Sequence, residues 1–331
     1  MSFDAAYEAL TDHDDDARWA YGTGFADPLA GVSTALPRGV DPADLAAYCL
    51  MLGDDALVLS HRLQQWVTRA PELEDELAIA NIGLDLLGQA RLLLTRAGEA
   101  EAAGRDEDAL AYFRDPHEFR NVLLAERADG DFAQLMARLL VFSAWRLALL
   151  DRLATSRDPV LGAIGAKGVK EVTYHREYAA QWVARLGDGT PLSHDRMQSA
   201  LDAVSDLVGE LFRPHDVELR LAAAGVAVDP STLRPEFDAV LAQVVTAATL
   251  RHPDFAGARG AGSASGSAAG SGGAGSASGS AAGSGGADLA SGPAGGPGGA
   301  GSGRDGVHTA ALAEILAEMQ EVARATPGGV W

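Results

Sequence analysis

Apolar residues recur with a period near 3.6 in every long segment of this chain, and this periodicity constrains the fold more than any other feature. Between Pro42 and Arg69, for example, Leu45, Leu52 and Leu59 are spaced to share one helical face. No stretch of strand length alternates apolar and polar residues, and Leu and Ala, which favour helices, dominate the apolar set. Four long helices are predicted, over residues 42–69, 72–98, 132–155 and 158–186. Such helices, joined by short or moderate links, predict an all-α bundle of long antiparallel helices.

Capping signals and glycines refine this prediction. Asp41 followed by Pro42 is a favourable start for the first helix, and Ser193 is predicted to cap a shorter fifth helix. The second helix is apolar nearly all round over residues 77–94, which predicts a central, buried position. Gly83 and Gly88 within it are predicted to permit the close approach of another helix. Further short helices are predicted at residues 193–211, 235–250 and 309–325.

The predicted domain organisation has one folded body with two additions. Residues 1–40 are predicted to form a poorly ordered acidic extension, 41–255 the helical bundle, 256–303 a flexible insertion, and 304–331 a C-terminal helix and tail belonging to the bundle. The insertion consists of Gly, Ala and Ser, and residues 262–274 are repeated without change by residues 275–287. Such a tract cannot bury enough apolar surface to offset its ordering entropy.

Charge and cysteine usage exclude several classes of protein. The formal net charge is −20 at pH 7, and no basic stripe is present, which argues against a nucleic-acid or anionic-membrane partner. Cys49 is the only cysteine, so intrachain disulfides and cysteine-based zinc sites are excluded. No signal peptide or uninterrupted apolar membrane span is evident, so the protein is expected to be cytoplasmic.

A long four-helix bundle raises the question of a di-iron carboxylate centre, which takes a Glu-x-x-His motif from each of two helices and a Glu from each of the others. Of the eight histidines, only His308 follows an acid, Asp305, by three residues, and it lies beside the insertion. The third helix has no acid between Phe132 and Leu150. A complete six-ligand site therefore cannot be assembled, and no catalytic, cofactor-binding or metal-binding residue is assigned.

Several polar residues are nevertheless predicted to lie inside the bundle. The candidates for a vestigial metal site or a buried polar network are Asp54, Asp85, Glu171 and His175, accompanied by Asp55, Asn81, Gln89 and Tyr174. A hydrogen-bonded network that fixes helix register is the favoured interpretation, because buried charges need partners. Lys167 is expected to pair with Glu171 one helical turn away. Motifs for a nucleophilic serine, a phosphate-binding loop or a dinucleotide site are not found.

Three segments carry the most distinctive sequence: Leu52–Leu94, Ala166–Thr190 and Gly225–Pro235. They resemble the C subunits of phenylacetyl-CoA epoxidases (ring 1,2-phenylacetyl-CoA monooxygenases), the PaaC family, above all in the run ANIGLDLLGQAR. The C-terminal segment Val307–Val322 fits the same family.

The resemblance implies a ferritin-like fold without a metal centre and a structural, non-catalytic role. It implies a homologous catalytic di-iron subunit as partner, and further members of the complex that include a reductase with NADPH, flavin and iron–sulfur cofactors. The complex epoxidises the aromatic ring of phenylacetyl-CoA with O2 in aerobic phenylacetate catabolism. The Leu- and Ala-rich second and third helices are the predicted partner-binding face.

Two alternatives to this interpretation stay open at the sequence level. One is an active ferritin-like, metal-dependent oxygenase with the unconventional ligands Asp85, Glu171 and His175. The other is a stand-alone helical adaptor.

Overall fold

The computed structural model describes residues 29–101, 103–255, 301–327 and 329, and the regular secondary structure in this part of the chain is all helical, with no strand. Its ten α-helices are α1 (Pro42–Gln64), α2 (Leu73–Glu101), α3 (Glu107–Tyr112), α4 (Leu123–Glu126), α5 (Phe132–Leu153), α6 (Pro159–Gly187), α7 (Pro191–Val208), α8 (Asp216–Ala223), α9 (Arg234–Ala247) and α10 (Ala310–Ala325). The predicted all-α class is confirmed.

Two antiparallel helix pairs form the body. Helices α1 and α2 pack along their length, as do α5 and α6, and short connections at residues 65–72 and 154–158 reverse the chain within each pair. The pairs meet through α2 and α6, α7 packs across α5, and α10 lies against α1 and α3. The bundle centre is therefore lined by side chains from α1, α2, α5 and α6.

Aspartate N-caps set the starts of the long helices, as their sequences predict. The side chain of Asp41 accepts from the amide of Ala43 at the start of α1, and Asp158 caps α6 through the amide of Leu161. The predicted cap of α7 was wrong. Thr190, not Ser193, is the N-cap, and Ser193 donates its amide to the Thr190 hydroxyl, because Pro191 occupies the first helical position.

Helix α1 ends at Gln64, five residues before the predicted end. A tighter turn follows, in which the amide of Trp66 donates to the carbonyl of Leu63. Pro71 disfavours a helical conformation in the residue before it, so the chain leaves the helix before the proline. Trp66 is buried and its ring centroid lies 6.3 Å from that of Phe132 on α5.

Helix α5 is the central helix of the bundle. By length and composition alone, α2 and α5 could each cross a membrane, but 94% of the most apolar window of α5 is buried inside the protein, as in the core helix of a bundle. In α2 that share is 50%. The prediction of a central, buried second helix was therefore wrong for half of that window. Its own sequence is apolar all round, but only one side packs against α1 and α6.

Gly88 on α2 also differs from its prediction. A Cβ placed there meets nothing within 4 Å, so this glycine does not serve close helix packing within the chain. Gly83 matches its prediction, because a Cβ there would lie 2.5 Å from Nε2 of Gln64 on α1. A second close approach lies between α5 and α6. A Cβ on Gly165 would lie 2.6 Å from the backbone nitrogen of Ala154.

The last part of the predicted N-terminal extension, residues 29–40, lies within the described structure. Residues 29–40 lie on the body, where Leu29, Val32 and Val40 pack against the core and the carbonyl of Thr34 accepts from Arg96. The Gly and Pro residues of this stretch led to the prediction of irregular structure, but its apolar side chains make the contacts that hold it on the body. The first 28 residues of the extension, with Asp12, Asp14, Asp15 and Asp16, lie outside the described residues. So do the repeated tract at 262–287 and most of the insertion. The chain re-enters the described structure at residue 301, slightly before the predicted boundary.

Candidate functional site

Two adjacent aspartates in the middle of α1 begin the candidate site. Asp54 and Asp55 are both fully buried, as predicted. Asp54 accepts from the guanidinium of Arg114, with a distance of 3.0 Å between Arg114 Nη1 and Asp54 Oδ2, and from the amide of Arg120 at 2.8 Å. Its charge is thus balanced by the segment that follows α3.

Asp55 is balanced by the C-terminal segment. Arg304 donates from both terminal nitrogens to the two carboxylate oxygens, at 3.1 Å and 2.8 Å. Arg304 also donates to the carbonyls of Met51 and Arg120, so its guanidinium is held at four acceptor atoms. Burial alone would lower the pKa of Arg304, but Asp55 and Glu218 outweigh burial and the pKa is raised.

Arg146 on α5 occupies the centre of the bundle. Its side chain is fully buried, and its guanidinium donates to the carbonyl of Leu52 on α1 and to Oε1 of Gln89 on α2, both at 3.2 Å. Its Nη1 lies 3.9 Å from Asp55 Oδ2. Burial lowers the pKa of Arg146 to about 10, with Asp55 opposing the shift, so the group is cationic at neutral pH.

A hydrogen-bond relay continues from Gln89 to α6. Gln89 Nε2 donates to Glu171 at 3.0 Å, and Glu171 accepts from Lys167, which confirms the predicted pair. The central network (Asp55, Arg146, Gln89, Glu171 and Lys167) therefore joins α1, α5, α2 and α6. Arg146 contacts α1 and α2, and Gln89 contacts α5 and α6, so the network links the four long helices through buried polar contacts.

Asp85 and His175 form a separate pair between α2 and α6. His175 Nε2 lies 3.0 Å from Asp85 Oδ2. The imidazole is buried, whereas the carboxylate is 36% exposed. Asn81, predicted to extend the same polar stripe, is exposed to solvent. Of the three residues in the predicted polar stripe on α2, Asn81 is exposed, Asp85 is partly exposed and Gln89 is buried.

A third polar cluster anchors the start of α10. Both ring nitrogens of His308 face acceptors: Nδ1 lies 2.8 Å from Glu126 Oε2, and Nε2 lies 2.9 Å from the carbonyl oxygen of Phe119. Glu126 is fully buried and also accepts from the amide and the hydroxyl of Thr309. Asp305 faces elsewhere, toward Ser302 and His215, so the Asp305–His308 spacing does not create a joint ligand pair.

The chemistry of this donor set does not fit a di-iron group. Such a centre needs carboxylates and imidazoles directed at common points. Here Asp54 and Asp55 are each directed at an arginine, and a further guanidinium lies between the four long helices. Within the described ranges, no group of three or more His, Cys, Asp or Glu side chains could hold a metal ion.

The sequence-predicted candidates therefore belong to different contacts. Asp54 pairs with Arg114, Glu171 joins the central network, and Asp85 pairs with His175. The partners of Asp54 and Asp55 escaped prediction, because Arg114 and Arg304 lie outside the long helices. A signal for Arg146 was present, since it is a lone charge with apolar residues on both sides within α5.

The chain matches the family model described as phenylacetic acid catabolic protein over residues 36–266, which is more than half of its length. It belongs to this family. The ferritin-like architecture of the family is the architecture of the bundle described above. The resemblance that the sequence segments indicate is thereby confirmed.

A curated relative narrows the comparison. The C subunit of the 1,2-phenylacetyl-CoA epoxidase of Escherichia coli (strain K12) is 40% identical over 287 residues, which cover 87% of this chain and 99% of the relative. This family member is thus a homologue of an epoxidase C subunit along nearly the full length of that relative.

Proposed function

We propose that this chain is a non-catalytic, structural subunit of a multicomponent di-iron oxygenase that epoxidises the aromatic ring of phenylacetyl-CoA with O2 and NADPH in aerobic phenylacetate catabolism. The observation that carries the proposal is the position of Arg146. A permanently charged guanidinium lies between the four long helices, hydrogen-bonded to Leu52 and Gln89.

Electrostatics supports this role. A metal ion entering the bundle centre would meet the positive charge of Arg146 in a buried, weakly screened environment. The neighbouring carboxylate, Asp55, is already saturated by Arg304, and Glu171 by Gln89 and Lys167. A metal ion could therefore bind these carboxylates only if their existing hydrogen bonds and ion pairs were broken. The alternative of an oxygenase using Asp85, Glu171 and His175 is disfavoured because Glu171 is bonded to Gln89 and Lys167 rather than directed at the Asp85–His175 pair.

An exposed apolar stripe on α2 supports a partner subunit. Leu73, Leu77, Leu84 and Leu87 are 66%, 57%, 52% and 37% exposed. At 3.6 residues per turn they lie within an arc of about 80° on one side of the helix. A contiguous apolar surface of this kind marks an interaction site. We propose that this stripe is covered by the homologous catalytic di-iron subunit. Helix α5, the other helix predicted for this role, is buried and cannot contribute.

The remaining components follow from the family resemblance. We propose that further oxygenase-complex subunits, including a reductase that carries flavin and iron–sulfur cofactors and uses NADPH, assemble with this pair in the cytoplasm. This chain itself then holds no cofactor. A stand-alone adaptor is the second candidate function, but no described feature favours it over a homologous partner.

Metal analysis and co-purification test the proposal. The full chain, expressed alone in iron-supplemented medium, is expected to contain far less than one iron atom per chain and to show no epoxidase activity. Co-expressed with the homologous di-iron protein of the same organism, the untagged chain is expected to co-purify, with iron present in the partner. Two iron atoms per isolated chain would contradict the non-catalytic role. Failure to bind a di-iron homologue would instead favour the adaptor.

A further inference from the structure

A groove of about 550 Å³ lies between α3 and α10. Tyr112 and Phe113 line one wall, and Met319 and Val322 line the other. Phe113 is 48% exposed and Val322 is 57% exposed, although both are large apolar side chains. The groove thus offers an apolar surface that the described part of the chain leaves open to solvent.

Carboxylates flank this apolar floor. Asp106 and Asp108, at the start of α3, line the groove together with the apolar residues. Glu107 between them forms an ion pair with Arg91 at 3.2 Å. Asp106 accepts from the amide of Ala109 at 2.8 Å as the N-cap of α3, and neither Asp106 nor Asp108 forms an ion pair within the described ranges. Burial and the neighbouring carboxylates Glu107 and Asp106 raise the pKa of Asp108, which indicates that its negative charge is incompletely compensated.

The groove depends on the docking of α10. Gln320 on α10 donates to the carbonyls of Ala111 and Arg114, at 3.1 Å and 3.0 Å. Arg324 donates to the carbonyl of Tyr112. These bonds fix the two walls relative to each other, so the surface is preformed and an incoming ligand does not have to order it.

From this combination we propose that the groove is a second docking site, which binds a segment of a partner protein carrying an apolar side chain next to an arginine or lysine. The apolar side chain fits between Phe113 and Val322, and the cation pairs with Asp106 or Asp108. Complementary charge at the rim and apolar contact at the centre is the usual arrangement of a protein-binding surface.

Charge also argues against a second copy of this chain as the occupant. In a symmetric pairing of two copies both subunits use the same patch, so one acidic groove would face another acidic groove. Each copy carries a net charge of −20, which adds long-range repulsion. A basic partner segment would avoid both the local and the long-range repulsion.

Methionine methyl signals provide a direct test, because the chain has only five methionines and Met319 lines the groove. The full chain, labelled with 13C-methyl methionine, is titrated with four synthetic peptides of equal length. Their central pairs are Phe-Arg, Phe-Glu, Ser-Arg and Ser-Glu. The Phe-Arg peptide alone is expected to shift the Met319 signal, which is assigned through Met319→Leu. The signals of the buried Met51, Met136 and Met197 are expected to stay unchanged.

Variants locate the binding within the groove. Phe113→Ser, Val322→Ser and Asp108→Asn are each expected to weaken the Phe-Arg peptide about tenfold, as for interface residues of central importance. Leu219→Ser is the matched control, since Leu219 is 41% exposed on α8, and it is expected to bind the peptide like the unaltered chain. Two substitutions of the apolar floor keep the test valid if one of them fails to fold.

Several results would overturn the proposal. One is that no peptide shifts the Met319 signal at millimolar concentration. Another is that the Phe-Glu peptide shifts it as much as the Phe-Arg peptide does. A Met319 signal that changes with protein concentration alone would assign the groove to a second copy. Tighter peptide binding by a variant that ends at Pro327 would assign it to the last residues of the chain itself.

Discussion

Arg304 and Asp55 are separated by 249 residues in the sequence and form a bidentate ion pair in the interior of the protein. This pair connects the segment that follows the insertion to the middle of the first long helix. Asp55 also lies 3.9 Å from Arg146, so the same carboxylate joins the C-terminal segment to the centre of the bundle. Loss of the C-terminal segment would therefore change the electrostatics of the centre.

Neutralising Asp55 tests this connection. Asp55→Asn leaves the guanidinium of Arg304 buried without its counter-charge, and the expected loss in the free energy of unfolding is about 3–5 kcal/mol. Urea denaturation measures the loss. Hydrogen exchange over residues 302–312 is expected to accelerate more than exchange in α5. Asp44→Asn is the control, because its ion pair with Arg220 lies at the surface and is expected to matter little. Equal losses in the two variants would show that the buried pair has no special role.

Two substitutions of Arg146 separate its charge from its volume. Arg146→Ala removes the hydrogen bonds to Leu52 and Gln89 and leaves a cavity, so a loss of about 3–5 kcal/mol is expected. Arg146→Met fills much of the space, and Asp55 keeps Arg304 as its partner, so a clearly smaller loss is expected. Chemical denaturation checks both.

The exposed Arg91→Met serves as the control for these variants. If Arg146→Met lowers the free energy of unfolding as much as Arg146→Ala does, then Arg146 stabilises the bundle through its hydrogen bonds and charge rather than its volume.

Periodicity and capping predicted the long helices because both are local properties of the sequence. The bundle class and the starts of α1 and α6 depend on residues within one turn of each other, such as Asp41 and Pro42. The position of α2 was harder to predict. Leu77 and Leu84 are leucines, like many residues of the core, so their residue type does not show that they are exposed. Only the placement of α1 and α6 decides which side of α2 is covered.

The candidate site was predictable only in part, for the same reason. The burial of Asp54 and Asp55 could be predicted from their position in an apolar helix. Their partners could not, because Arg114 is 60 residues from Asp54 and Arg304 is 249 residues from Asp55. Non-local ion pairs leave no periodic signal in the sequence. His308 illustrates this limit, since its contacts with Glu126 and Phe119 come from a different part of the chain.

The docking of the C-terminal segment is expected to weaken at alkaline pH through His308. Both ring nitrogens face acceptors, and only the imidazolium form donates from both. Burial alone would lower the pKa of His308, but the hydrogen bonds to Glu126 and Phe119 outweigh burial and raise it above 6.5. A group with a raised folded-state pKa contributes its full stability below the unfolded value and loses it as pH rises through the folded value.

The comparison of the unaltered chain with His308→Gln isolates this contribution. The difference in the free energy of unfolding is expected to be about 1–3 kcal/mol at pH 6 and to decrease toward pH 9. His252→Gln is the control, because His252 contacts only the exposed Thr246 among the hydrogen bonds described. A difference that stays constant from pH 6 to pH 9 would show that the imidazolium charge is not what holds the segment.

The apolar stripe on α2 is expected to bind the catalytic partner without stabilising the isolated chain. Leu77→Asp and Leu84→Asp place a charge on side chains that are 57% and 52% exposed, so the isolated variants are expected to unfold at nearly the urea concentration of the unaltered chain. In the assembled pair the same charge would be buried without a counter-charge, which is expected to weaken the complex at least about tenfold per substitution. Quantitative pull-down with the co-expressed partner measures this loss.

Leu192→Asp, 62% exposed at the start of α7, is the control that should leave pairing intact. If the partner binds the Leu77 and Leu84 variants as well as the control, the partner occupies another face, and the solvent-exposed leucines of α2 have a different role.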